Sequence, residues 1–166
     1  NDIADWDATL NDAIDRCDTP AICRSRLNRI QCLFNFYSVD SAIIEARESL
    51  PFILNAKQYS FYFSTYNTYI SGLFKQRRFD EAREEATTMF ETAQQVKQPV
   101  GMTMALQVQG SMYYKLGLYD QALTSLEKGI AICPTYENGE NQVLYISAVL
   151  YEWLFMTALK VNDTER

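Results

Sequence analysis

Apolar residues recur at helical spacing along most of this chain. One run steps by three and four residues: Tyr62, Tyr66, Tyr69, Ile70 and Leu73. That spacing places the five side chains on one face of a helix. The Tyr, Phe and Thr of this segment also favour strands, but its length and period favour a helix. A second run, residues 79–96, repeats the spacing among strong helix formers. The pattern therefore predicts amphipathic helices joined by short turns.

A ten-residue pattern occurs three times: LFNFYSVDSA at 33–42, LFKQRRFDEA at 73–82 and YYKLGLYDQA at 113–122. Each copy has an apolar pair, a turn, an apolar residue, an Asp and an Ala. Four columns are in register, namely Ala42, Ala82 and Ala122; Asp40, Asp80 and Asp120; Val39, Phe79 and Tyr119; and Leu33, Leu73 and Tyr113. The copies are 40 residues apart, within the spacing of about 20 to 50 residues that is typical of repeat proteins. The chain is therefore predicted to be an array of helix–turn–helix units.

The turn of the second copy carries charges that suit two helix ends. Lys75, Arg77 and Arg78 lie at the carboxyl end of one helix, and Asp80 lies at the amino end of the next. Each charge complements the dipole of its helix. In the third copy, Gly117 supplies the left-handed conformation that ends a helix. This stretch is thus predicted to be the hinge of a helical hairpin.

Residues 103–134 resemble the tetratricopeptide repeat. Six residues carry the resemblance at the family's spacing: Leu106, Gly110, Tyr113, Tyr119, Ala122 and Pro134. Gly129 stands where the family usually has Ala, and the units are longer than the family's usual ~34 residues. The resemblance implies an all-α fold, a right-handed α-solenoid of helix–turn–helix repeats of about 40 residues.

The resemblance also implies a division of the chain, which is taken to be part of a longer protein. Within a single repeat domain at 1–166, the expected parts are a capping helix at 1–18, repeat 1 at 20–55, repeat 2 at 57–97, repeat 3 at 99–134 and the first helix of a truncated repeat 4 at 139–160. A turn is expected at 134–141, and another helix is expected to begin near Lys160.

Composition argues against several classes of function. The net charge is −6, and the 15 Lys and Arg are scattered, so a nucleic-acid partner is not expected. No apolar stretch is long enough to cross a bilayer, so this segment is expected to make no membrane contact. The chain has no His, and Glu81, Glu84 and Glu85 fit a solvated helix face better than an acid–base pair. We therefore predict no catalytic residue, no cofactor and no enzymatic activity for this segment.

Four cysteines are present, at Cys17, Cys23, Cys32 and Cys133. They form no CxxC pair, so a metal site is not expected. Cys17 and Cys23 flank the turn DTPAI, where a disulfide is conceivable in an oxidising compartment. Free thiols are the favoured alternative, and the two are left open.

The resemblance implies that the first helix of each repeat lines a concave groove. The family's groove positions correspond to Arg24, Gln31 and Asn35 in the first copy, Ser64, Asn67, Ser71 and Lys75 in the second, and Gln107, Ser111, Tyr114 and Lys115 in the third. A protein or peptide partner, or self-association, is the expected use of this groove. Leu27 and Gln31 replace the Lys and Asn with which some repeats clamp a carboxylate, so tail clamping is disfavoured.

Two functions follow from the resemblance. The long, aromatic-rich units are similar to the extracytoplasmic sensory region of membrane-anchored sensor histidine kinases in bacterial two-component systems. A binding module of this kind would be periplasmic, with a kinase elsewhere in the full-length protein and a membrane anchor between them. The alternative is a cytoplasmic scaffold or peptide-responsive transcriptional regulator built from the same repeats.

Overall fold

The computed structural model describes residues 2–133 and 141–164. Within these ranges the chain forms helices and short turns and no strand, so the predicted all-α class is confirmed. The α-helices are α1 (Ile3–Asp15), α2 (Thr19–Cys32), α3 (Val39–Asn55), α4 (Tyr59–Lys75), α5 (Phe79–Gln95), α6 (Pro99–Lys115), α7 (Tyr119–Ile132) and α8 (Asn141–Thr164). The aromatic-rich segment that could have been a strand is helix α4.

Five of the described helices end in the same way, at positions separated by 20 or 40 residues. The residues in left-handed conformation are Cys17, Lys57, Arg77, Lys97 and Gly117, with φ of 52°, 56°, 61°, 55° and 75°. In each turn the following residue donates its N–H to the carbonyl five positions back, as Arg78 does to Leu73 at 2.9 Å. This bond closes the helix in the manner of a Schellman motif. The sequence indicated such an ending only at Gly117, because at the other sites the closing bond holds a residue other than glycine in a costly conformation.

The first copy of the ten-residue pattern departs from this rule. Here α2 continues into a π-helical turn, Leu33–Tyr37, which we call the π-turn. Ser38 still donates its N–H to the carbonyl of Leu33 at 2.9 Å, but no residue of this turn is left-handed. The Ser38 hydroxyl then accepts the N–H of Ser41 at 3.2 Å and starts α3. The sequence analysis did not predict this π-turn.

The chain divides into two compact units, an N-terminal unit (Asn1–Ala82) and a C-terminal unit (Arg83–Arg166), with the boundary inside α5. In the N-terminal unit α1 packs on α2, α3 packs on α4, and α2 contacts both α3 and α4. Its fully buried side chains include Cys23, Ile30, Ile53, Phe63, Ile70 and Leu73. Gly72 allows a close approach between α4 and α3, since a Cβ there would lie 2.8 Å from Ile43 Cγ1.

In the C-terminal unit α6 packs on α7, and α8 packs on both. Its apolar core contains Leu126, Cys133, Ile146 and Leu150, with Val100, Met104, Ile130, Trp153 and Leu154 packed against them. Gly110 is required by packing, because a Cβ there would lie 2.5 Å from both Cγ and Cδ2 of Leu126. A Cβ at Gly129 would lie 3.1 Å from Leu150 Cδ2, so an alanine there would require Leu150 to shift by a few tenths of an ångström.

Helix α8 differs from the expectation for residues near Lys160. It runs without interruption to Thr164, so no turn precedes Lys160 and no new helix begins there. Thr157 occupies the column of Gly117 but is fully buried, and its hydroxyl donates to the Trp153 carbonyl at 2.7 Å. A β-branched residue strongly resists the left-handed conformation, so the helix continues. Pro134 and the turn predicted at 134–141 lie outside the described residues, apart from Asn141, which begins α8.

Candidate functional site

All eleven predicted groove residues have side chains at least partly accessible to solvent. In the N-terminal unit Arg24, Gln31, Asn35 and Lys75 are exposed and Ser64, Asn67 and Ser71 are half-buried. In the C-terminal unit Lys115 is exposed and Gln107, Ser111 and Tyr114 are half-buried. Of these residues, the structure brings Gln31 and Asn35 together in one cavity, whose lining also includes residues that the sequence analysis did not select.

The cavity has a volume of about 270 Å³ and lies between α1, α2 and the π-turn. We call it the amide pocket, and its lining residues are Trp6, Asn28, Gln31, Cys32, Asn35 and Phe36. Asn28 was not among the predicted groove residues, although the sequence indicates its place beside two of them. Asn28, Gln31 and Asn35 are spaced by three and four residues, the spacing of one helix face. Nothing in the sequence pattern of α1 indicated that Trp6 would line a cavity.

The π-turn places two aromatic side chains at the surface beside the amide pocket. Phe36 is 78% exposed and Tyr37 is 57% exposed. The Tyr37 hydroxyl donates to the carboxylate of Asp2, which also accepts the Ile3 N–H at 2.6 Å and thereby caps α1. The hydrogen bond from Tyr37 lowers the pKa of the Asp2 carboxyl, and the same bond raises the pKa of the Tyr37 phenol. This contact ties the start of α1 to the π-turn.

A second tie joins α1, α2 and α3 through Arg29. Its Nε donates to the Asp7 carboxylate at 2.6 Å, and its Nη1 donates to the Glu45 carboxylate. The Arg29 side chain is only 26% exposed, so this ion pair is partly shielded from solvent screening. Along α1, Trp6 lies between Asp2 and Asp7, so both ties hold the helix that supplies one side of the amide pocket.

Each of the two predicted groove lysines lies over an aromatic ring of its own unit. Lys75 Nζ lies 5.0 Å from the ring centroid of Phe34, the residue before Asn35. Lys115 Nζ lies 5.8 Å from the ring centroid of Trp153, which Tyr114 also contacts edge-on at 5.4 Å. Each ammonium group is attracted to the face of an aromatic ring. These lysines therefore cover aromatic side chains as well as presenting charge at the surface.

A second cavity, of about 320 Å³, lies in the C-terminal unit between α6 and α7. Its lining residues are Tyr113, Asp120, Gln121, Thr124 and Ser125. One of its lining residues, Asp120, belongs to the Asp column of the repeat, and none of them is a predicted groove residue. Unlike the amide pocket, this cavity includes a carboxylate.

The cysteines are free thiols: Cys17 is exposed in its turn, and Cys23, Cys32 and Cys133 are buried. Burial raises the pKa of the Cys23 thiol, which makes it a poor nucleophile. Among residues 2–133 and 141–164 no group of three or more His, Cys, Asp or Glu is placed to hold a metal ion. Within the same ranges no helix combines the length and apolar character that crossing a bilayer requires.

Neither a family model nor a curated protein sequence matches this chain. The likeness to the tetratricopeptide repeat therefore rests on the residues in register along the chain.

Proposed function

We propose that this chain is a non-catalytic binding module made of stacked helical hairpins of the tetratricopeptide type. From Lys57 to Gly117 the helix ends recur every 20 residues, so two helices make one unit of the 40-residue sequence repeat. In the N-terminal unit α2 contacts α4, and in the C-terminal unit α6 contacts α8. Contact between alternate helices is what a solenoid requires of the helices that line its inner surface. Within each unit, these features support the helix–turn–helix repeats implied by the resemblance.

The amide pocket is the single observation that carries a binding function. It combines aromatic side chains with polar groups in a concave site, as small-molecule sites usually do. Two of its residues, Gln31 and Asn35, are groove positions predicted from the sequence.

A thermal-shift assay tests binding directly. The purified chain is screened against pools of short peptides, amino acids and neutral sugars, beside the double variant Gln31→Ala/Asn35→Ala. The matched control is Thr87→Ala/Thr88→Ala, on the exposed face of α5. A ligand of the pocket should raise the Tm of the wild type and the control equally and leave the pocket variant unchanged. A panel that shifts none of the three proteins, or shifts all three alike, would contradict the proposal.

The role that we propose for this module is the sensory input of a membrane-anchored bacterial histidine kinase, on the outer side of the membrane. A ligand that fits one packing of the helices better than another shifts their equilibrium, and such a shift can be passed to an output domain. The open reading frame that contains this segment tests the role. A signal sequence, a transmembrane span and a kinase core are expected in it, and a frame without the span and the core would refute it.

One observation favours the second candidate, a cytoplasmic scaffold or peptide-responsive regulator. The cysteines are free thiols, and three of them are buried. Unpaired buried thiols are typical of reducing compartments. Thiol titration of protein recovered from its native compartment tests this point, because a Cys17–Cys23 bond would favour the periplasmic candidate, whereas four free thiols are compatible with both.

A further inference from the structure

We propose that the amide pocket binds a single uncharged sugar ring, held between its aromatic side chains and its three side-chain amides. This inference rests on the proposed binding function and names the class of ligand. It is carried by the chemistry of the six lining residues, which belong to three elements of the N-terminal unit: α1, α2 and the π-turn.

The absence of charge in the lining selects against an ionic ligand. None of the six lining residues is Asp, Glu, Lys or Arg. The nearest charged residues along α1 already have partners. Asp5 accepts the Asp2 N–H at 3.0 Å, Asp7 is paired with Arg29, and Asp2 accepts the Tyr37 hydroxyl. A charged ligand would lose hydration without gaining a counter-charge. An uncharged ligand avoids this cost.

The amides select for a ligand with hydroxyl groups. Asn28, Gln31 and Asn35 make no side-chain hydrogen bond to any residue that the structure describes. Each amide has two N–H donors and a carbonyl acceptor. A sugar hydroxyl both donates and accepts, so adjacent hydroxyls can engage the two ends of one amide. Amides spaced by three and four residues along α2 would meet successive hydroxyls of one ring.

The aromatic residues select for a ligand with an apolar face. Phe36 is 78% exposed, and a side chain so exposed gains considerable burial when a ligand packs on it. The C–H face of a pyranose is flat and apolar, and its edge carries the hydroxyls. A cavity of about 270 Å³ lies just below the range of about 300 to 1,000 Å³ for small-molecule pockets, so it suits one ring.

The π-turn positions two of the residues that line this site. In the turns at Cys17, Lys57, Arg77, Lys97 and Gly117 the helix ends at a left-handed residue. Here the backbone continues instead as the π-turn, and Asn35 and Phe36 of this turn line the pocket. π-helical turns are rare and are frequent at functional sites. Tyr37, bonded to Asp2, then holds the turn against α1.

The test is a titration followed by nuclear magnetic resonance. The ¹⁵N-labelled chain is titrated with glucose, galactose, N-acetylglucosamine and cellobiose, and separately with glucuronate as the charged counterpart. The signals observed are the Trp6 indole N–H and the side-chain amides of Asn28, Gln31 and Asn35. At least one neutral sugar should shift these signals with saturation, and glucuronate should bind more weakly than glucose.

Variants locate the binding. Phe36→Ala and the double variant Asn28→Ala/Gln31→Ala should each weaken the neutral sugar at least tenfold. Gln121→Ala, in the cavity of the C-terminal unit, should leave its affinity unchanged. Phe36 is mostly exposed, so its variant is expected to fold, and the dispersion of the amide spectrum checks this.

Three results would overturn the sugar assignment. They are no saturable shift with any neutral sugar, equal affinity in the pocket variants, and tighter binding of glucuronate. If short peptides shift the same signals while sugars do not, the ligand class is wrong but the binding function stands. If no compound moves any surface signal, both proposals fail.

Discussion

The turns at 33–42 and 113–122 have the same pattern in sequence and different backbones. Both carry a hydrogen bond across five residues in the same register, from Ser38 to Leu33 and from Leu118 to Tyr113, each of 2.9 Å. In the second turn Gly117 is left-handed and α6 ends abruptly. In the first, the backbone remains right-handed and the bond closes the π-turn instead.

This difference separates a structural turn from a binding surface. The Gly117 turn brings α7 back onto α6, and the two helices share a close contact at Gly110. The π-turn also reverses the chain, but it adds a contact to α1 through Tyr37 and a wall to the amide pocket through Phe36. The same ten-residue sequence pattern therefore forms a packing turn in the C-terminal unit and part of an exposed candidate site in the N-terminal unit.

The largest expected loss of stability is at the contact between α6 and α7 in the C-terminal unit. Gly110→Ala would place a Cβ 2.5 Å from two atoms of the fully buried Leu126. The helices must separate, so we expect a loss of about 2 to 3 kcal/mol in the free energy of unfolding, measured by urea denaturation. Gly129→Ala, with 3.1 Å to Leu150, is the control and should cost less. Equal effects would refute this account of the contact.

The second largest expected loss of stability is at the ion pairs of Arg29 in the N-terminal unit. Arg29→Met keeps much of the side-chain volume but removes the bonds to Asp7 and Glu45. We expect a loss of about 1 to 2 kcal/mol, because Glu45 keeps a partly buried charge without its partner. Arg16→Met is the matched control, since its pair with Asp12 is well exposed and should contribute little. A loss in the control as large as that of Arg29→Met would contradict the role of the tie.

A smaller effect is expected from the backbone of the left-handed turn. A Cβ at Gly117 would meet nothing within 4 Å, so Gly117→Ala changes only the conformational energy. The left-handed backbone should cost alanine about 1 kcal/mol, read from the urea midpoint. Asn35→Ala, in the right-handed π-turn, should show no such backbone cost. A neutral Gly117→Ala would mean that the strain is relieved by movement of the turn.

The smallest effect concerns the Tyr37–Asp2 contact. Asp2 has a lowered pKa, so any stability that the contact provides is present above the ordinary value of 3.8 and is lost as pH falls through the lowered value. Tyr37 has a raised pKa, so the stability that its phenol contributes is present below the ordinary value of 10.0 and is lost as pH rises through the raised value. Tyr37→Phe should return the Asp2 pKa toward 3.8, measured by NMR titration. An unchanged Asp2 pKa would show that the bond does not form in solution.

The candidate site could be predicted from sequence only in part. Gln31 and Asn35 were found because helical spacing and a family pattern placed them on an exposed face. Phe36 was not found, because an aromatic residue in an apolar run is normally expected in the core, and only its backbone turns it outward. Trp6 was missed for a related reason, since no local pattern shows which α2 residues it will face.

The sequence by itself determined the helical class, the 40-residue period and the hinge at each copy of the ten-residue pattern. These are local properties, carried by apolar spacing and by residues that start and stop helices. Only the tertiary structure decided how each hinge closes. Arg77 and Lys57 accept left-handed backbones, while Thr157 continues α8 and Tyr37 lies in a π-turn. The alternatives at a hinge differ by only about 1 to 2 kcal/mol per residue, so packing against neighbouring helices selects among them.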